Sequence, residues 1–175
     1  MAVLHIITAP DMLLKQRSLP VLSVDNDIRK LMDDIKDTMY HDNGVGLAAV
    51  QVGVLQRVIV IDLQDDDDEK REKGFYPLFL ANPELIEKST EVCSAIEGCL
   101  SVPDQRVDIV RSSSIKIRFL NYHNEKIELK TGGWLARAIQ HEMDHLDGKL
   151  MIDYLSSIKK DIVIRKLKKH KRNLL

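Results

Sequence analysis

The pentapeptide His141-Glu142-Met143-Asp144-His145 constrains this chain more than any other stretch. On a helix, residues i and i+4 share one face, about 6 Å apart. Two imidazoles so placed can hold one metal ion. Glu142, next to the first of them, can reach a water on that ion and act as general base. Ala136, Ile139, Met143 and Leu146 make the same helix partly apolar, which predicts a central helix. A buried histidine pair beside a glutamate is costly unless it binds something. The bland alternative is a polar helix face that happens to carry two histidines.

A metal that keeps one position open for water needs a third protein ligand. Downstream of Glu142 the chain has no glutamate, and Met151 stands where one class of such sites would place a histidine. Asp147, Asp153 and Asp161 lie downstream without supporting context. The better candidate is upstream, in Glu97-Gly98-Cys99-Leu100-Ser101, where a glycine permits a tight bend beside a thiol. Cys93 competes, but its neighbours suggest a small buried or half-buried residue. A thiolate with two imidazoles suits zinc or ferrous iron.

Three segments then fall into one pattern. Gly44-Val45-Gly46-Leu47-Ala48-Ala49-Val50-Gln51, Glu97-Gly98-Cys99-Leu100-Ser101 and Gln140-His141-Glu142-Met143-Asp144-His145-Leu146-Asp147-Gly148 follow one another along the chain. Their order and spacing resemble the three motifs of the bacterial peptide deformylases. Pro10-Asp11, Pro20-Val21, Asn82-Pro83 and Val102-Pro103 add to the resemblance, which covers nearly the whole chain.

The resemblance implies an enzyme that removes the N-formyl group from the N-terminal formyl-methionine of newly synthesised proteins, releasing formate. Cys99, His141 and His145 would bind one divalent metal ion. Fe2+ is expected, and Zn2+, Ni2+ or Co2+ are possible in purified protein. A metal-bound water would attack the formyl carbon with Glu142 as general base and acid, and the Gln51 side-chain amide and the Leu100 backbone N–H would stabilise the oxyanion. Gly44, Val45, Gly46 and Gly98 would carry the peptide, and Glu97 and Arg106 would brace the site together. Trp134 and Ala138, with Val45, Ala95 and His141, would wall the methionine pocket, and Arg137 would flank it. Rival readings are another metallohydrolase on the same scaffold, a closed structural zinc site with Cys93 as fourth ligand, and a thiol hydrolase with Cys99 as nucleophile.

The rest of the sequence sets the frame. A length of 175 residues fits a single domain over 1–175. Hydrophobic periodicity predicts a helix from Asp25 or Asn26 to Met39, ended at Asn43-Gly44 with the glycine free to take positive φ. Strands are expected at Val58–Leu63, Leu78–Asn82, Glu84–Lys88, Val107–Val110, Ile115–Asn121 and Lys126–Lys130. Gln64–Gly74, with its acidic run, reads as a solvated loop. Gly132-Gly133 opens the histidine-bearing helix, and a basic helix covers about 156–172, capped by Ser156 or Ser157. The fold class is α+β, a mostly antiparallel sheet around a central helix.

The net charge is −1, yet Ser157–Leu175 holds eight basic residues against Asp161, which leaves −8 for the remainder. Such asymmetry can mark an interaction tail, and in some relatives this helix is thought to touch the ribosome. Ile158, Ile162 and Leu167 would form its apolar face. No membrane span, signal peptide or DNA partner is expected, and two cysteines in this context point to a reducing cytoplasm.

Overall fold

The structure is a computed structural model that describes residues 2–173. Met1 and residues 174–175, to which the readings of the two chain ends extend, lie outside the described residues. The fold is α+β.

The first long helix, α1 (Asn26–His41), starts where the Asp25 carboxylate accepts from Ile28 N. It ends differently from expectation. Asn43, not Gly44, takes the left-handed conformation (φ 54°), and Gly44 N closes the turn on Met39 O at 2.8 Å. The chain then forms β1 (Gly46–Ala48), a 3-10 turn (Ala49–Val52) and β2 (Val58–Ile61). In β2 every residue is fully buried, because Val58 and Val60 pack on α1 while Ile59 and Ile61 face the other way.

Beyond β2, the acidic loop is not wholly irregular. It holds one helical turn, α2 (Glu69–Glu72), begun by Asp68 accepting from Lys70 N. The two expected strands around Pro83 are one, β3 (Leu78–Lys88). A bulge between Ala81 and Glu84, with Asn82 at φ 49°, absorbs the proline without ending the strand. β4 (Val92–Cys99) has no counterpart in the sequence reading, and β5 (Val102–Ser112) is far longer than its predicted core. β6 (Ser114–Leu120) and β7 (Lys126–Gly132) follow. The antiparallel order β1-β2-β3-β6-β7 forms the large sheet, and β4 pairs only with β5.

The central helix α3 (Gly133–Leu146) starts at Gly133, whose φ is 61°. Its Leu135, Ala136, Ile139 and Leu146 pack on Ile59, Ile61, Leu80 and Ile117, so the large sheet lies between α1 and α3. Truncating one of these isoleucines to alanine would cost roughly 2–5 kcal/mol.

The last helix, α4 (Ser157–Asn173), runs one residue later at each end than expected. It also presents a different face. Leu167 is buried, with Val163 and Ile164 packed beside it, against Val107 and Ile109 of β5, whereas Ile158 and Ile162 are exposed. Asp153, in the preceding 3-10 turn (Met151–Tyr154), holds this corner by accepting from Lys160 at 2.5 Å and from Lys15. No helix among the described residues is long and apolar enough to cross a membrane.

Candidate metal centre

His141 and His145 stand one turn apart on α3, their ring centroids 5.0 Å apart and their planes at 72°. Both are buried, His145 almost completely. Cys99 ends β4 at the point where its pairing with β5 slips, from Glu97↔Val107 to Cys99↔Val102. This irregularity at Gly98 turns the thiol toward α3. Cys99 Sγ lies 3.3 Å from His145 Nε2, and one ligand atom from each of Cys99, His141 and His145 lies within 4.8 Å of the others.

Cys93 is outside this group. It is exposed, contrary to expectation, and its Sγ accepts from Arg137 Nη2 at 3.3 Å. Among the described residues, Cys93 is therefore not a fourth ligand in the cluster.

The two histidines are shifted in opposite directions. Burial works against a charged His141, yet hydrogen bonds that its ring donates to Cys99 and Glu97 raise it well above the ordinary histidine value. His145 is driven the other way, by burial first and by His141 next, so it is a neutral imidazole with a lone pair to give. Glu142 is buried beside them. Desolvation pushes its carboxyl up to about 7, against the pull of His141 and Arg111, and its Oε2 has no hydrogen-bond partner. An orphaned buried oxygen next to three ligand atoms marks a place built for something to occupy.

Glu97 is the support beneath the ligands. Its Oε2 meets His141 Nδ1 at 2.8 Å. Arg106, also expected to brace the site, does not pair with it. Arg111 donates to Glu97 from Nε (2.6 Å) and Nη2 (2.9 Å), and Arg137 from Nη1 (2.7 Å). All three side chains are nearly inaccessible. Burial works against its charge, yet the hydrogen bonds with His141 and Arg111 lower the Glu97 carboxyl to about 2. Arg111 continues to Asp144 (2.9 Å), which accepts from the Tyr154 hydroxyl at 2.7 Å. The sequence reading missed Arg111 and gave Arg137 only a flanking place. Alternation along β5 was the available signal, since Val107, Ile109 and Arg111 share the buried face.

Gln51 sits in the 3-10 turn after β1, 1% exposed. Its Oε1 accepts from Ala48 N at 2.8 Å, which leaves Nε2 to donate to Ser101 Oγ (3.1 Å) and to point at Cys99 Sγ (3.7 Å). Gln140 ties α3 to β5 through the Ser112 carbonyl at 3.0 Å.

A cleft of about 840 Å³ opens over Cys99, His141 and Glu142. Gly44, Val45, Gly46, Gly98, Leu100 and Arg106 line it, as do Trp134, Ala138, Gln51 and Glu97. Ile96 lines it where Ala95 was expected. Side chains of the protein close over three of these glycines. A Cβ at Gly46 would fall 2.5 Å from Glu142 Oε1, at Gly44 2.7 Å from Leu100 Cδ1, and at Gly98 2.9 Å from Arg106 Nη1.

Comparison with known proteins gives one answer. The profile of the family described as polypeptide deformylase matches residues 3–161. Peptide deformylase 1 of Rickettsia conorii is 60% identical over 175 residues, covering all of both chains. The peptide deformylase of Orientia tsutsugamushi is 47% identical over 98% of this chain and 97% of its own. The crystal structure of peptide deformylase from Ehrlichia chaffeensis matches with a TM-score of 0.91 at 41% identity, over 99% of this chain and 100% of that one. Its complex with actinonin also gives 0.91, at 42% identity over 98% and 99%. With its full length matched at such identity and its three motifs gathered on one cleft, the chain belongs to the polypeptide deformylase family of enzymes.

Proposed function

We propose that this protein, as one catalytic unit, hydrolyses the formyl group from N-formylmethionyl peptides of newly made proteins, using one divalent metal ion held by Cys99, His141 and His145. The carrying observation is Glu142, buried and unpartnered at Oε2 beside three clustered ligand atoms. The donor set of one thiolate and two imidazoles fits Fe2+, expected from the family, and also Zn2+, Ni2+ or Co2+. When bound, such an ion acidifies water and polarises a carbonyl oxygen.

The chain's own residues do the rest. Glu142 takes a proton from the attacking water as its oxygen bonds to the formyl carbon. As the C–N bond breaks, Glu142 delivers that proton to the leaving amine, and formate departs. Buried beside the ligand cluster with Oε2 unpartnered, Glu142 is placed to do both. The Gln51 Nε2–H and the Leu100 backbone N–H donate to the oxygen that becomes negative. The peptide lies along Gly44–Gly46 and Gly98 as an added strand. Val45, Trp134 and Ala138 flank its methionine, and Arg106 stands at the mouth of the cleft. The working compartment is the cytoplasm, and the lysines of α4 face the ribosome from which the substrate emerges.

The test compares formyl-Met-Ala-Ser with acetyl-Met-Ala-Ser, using wild type, chelated wild type and Glu142→Ala, each with its metal content measured. Cleavage of the formyl peptide alone is expected, lost on chelation, and lost in Glu142→Ala with its metal retained. Activity that survives complete metal removal would instead favour Cys99 as a nucleophile.

A further inference from the structure

Gln64 adopts a backbone conformation held by two hydrogen bonds, one of its main chain and one of its side chain. Its φ is 53°, in the left-handed region that disfavours residues with a Cβ. From there its backbone N–H donates to Asp62 Oδ1 at 2.8 Å, and its Nε2 donates to the Gly44 carbonyl at 2.6 Å. Asp62 is itself locked. It is 1% exposed, accepts from the Tyr40 hydroxyl at 2.6 Å and pairs with Arg71, while its N–H donates to the Val45 carbonyl at 2.9 Å. Gly44 N is held by Met39 O.

The residues just before β1 are therefore gripped by the segment just after β2. This matters because β1 is an edge strand of three residues, and Gly44–Gly46 line the cleft. Unusual backbone at such a place persists only when its surroundings over-determine it, and here they do.

We propose that Gln64 is a positioning residue for the substrate peptide. Its amide sets the height of the Gly44–Gly46 edge on which the peptide backbone pairs, and it acts on peptide binding rather than on the chemical step. The inference rests on the deformylase reading above and deepens it.

Two variants test it. Gln64→Gly removes the amide while favouring the same backbone. Gln64→Glu keeps the length but turns a carboxylate toward the Gly44 carbonyl. For formyl-Met-Ala-Ser, each should raise KM roughly threefold to tenfold, the effect of losing one hydrogen bond. The kcat should stay within about twofold, the signature of lost uniform binding. Metal content should be unchanged, and formyl-methioninamide, which has little backbone to pair, should be less affected. Unchanged KM in both variants, with active wild type, overturns the proposal alone. So does a fall in kcat and metal content together, which would mean a merely structural role. A wild type that does not cleave the tripeptide overturns the deformylase reading and this proposal with it.

Discussion

Glu97 Oε2 lies 2.8 Å from His141 Nδ1, and this contact decides which nitrogen of the imidazole faces the ligand cluster. With Nδ1 engaged, Nε2 is the nitrogen left for a metal. Glu97→Ala should therefore weaken metal binding about 10- to 100-fold, the usual cost of losing such a partner. It also leaves the Arg111 and Arg137 guanidiniums buried without their shared carboxylate, which should destabilise the fold by roughly 3–5 kcal/mol. Chelator competition and denaturant unfolding measure the two effects. Wild-type metal affinity in Glu97→Ala would refute the assigned role.

Gly46→Ala should be a catalytic defect in a folded, metal-loaded protein. The added Cβ would sit 2.5 Å from Glu142 Oε1 and 3.0 Å from its Cγ, so the flexible glutamate side chain must swing away. General acid–base catalysis contributes about 10²–10⁴-fold. A fall in kcat of at least roughly 10²-fold is expected on that scale, with metal content unchanged. Steady-state kinetics with metal analysis checks this, and retained kcat would show that Glu142 does not depend on its present position.

The cluster of Cys99, His141 and His145 was legible in the sequence because its logic is local. Two histidines at helical spacing, an adjacent glutamate and a thiol beside a glycine suffice. The support beneath them was not. Arg106 was nearer to Glu97 in sequence than Arg111, and only the length of β5 shows that Arg111 shares a face with Val107 and Ile109. β4 went unread for a related reason. Its Val92 and Ile96 are exposed while Glu97 is buried, so hydrophobic alternation points the wrong way. A buried carboxylate with two buried arginines inverts the usual pattern, and only their mutual pairing makes that tolerable.

The basic helix gives a salt-dependent prediction. Arg165, Lys166, Lys168 and Lys169 are exposed, whereas Leu167 is buried under β5 and ties the helix to the domain. Reversing these four charges should abolish cosedimentation with ribosomes at low salt, since such contacts weaken steeply as charge is lost. Hydrolysis of a free formyl peptide should not change. Cosedimentation across a salt series decides it, and undiminished binding by the charge-reversed protein would remove ribosome contact from the reading.

Acid should loosen the corner where α4 meets the N-terminal segment. Desolvation would raise the Asp153 carboxyl, but Lys15 and Lys160 bind it and lower it from 3.8 to about 2. The folded value lies below the unfolded one, so the stabilisation is complete above about pH 4 and is lost as pH falls toward 2. At 1.36 kcal/mol per unit this is roughly 2 kcal/mol. Asp153→Asn should be less stable than wild type by up to that amount at pH 6, and the gap should close as pH falls from 4 toward 2. Urea unfolding across this range reads it directly. A gap that stays constant with pH would exclude the charge as its source.

β1 has a consequence for self-assembly. A free sheet edge is a template for any extended chain, including other copies of the same protein. Here the open edge is three residues long, is recessed in a cleft and is hemmed in by Glu142 at Gly46. At β1, then, the shortness and recess of the edge work against pairing with a second copy of the chain.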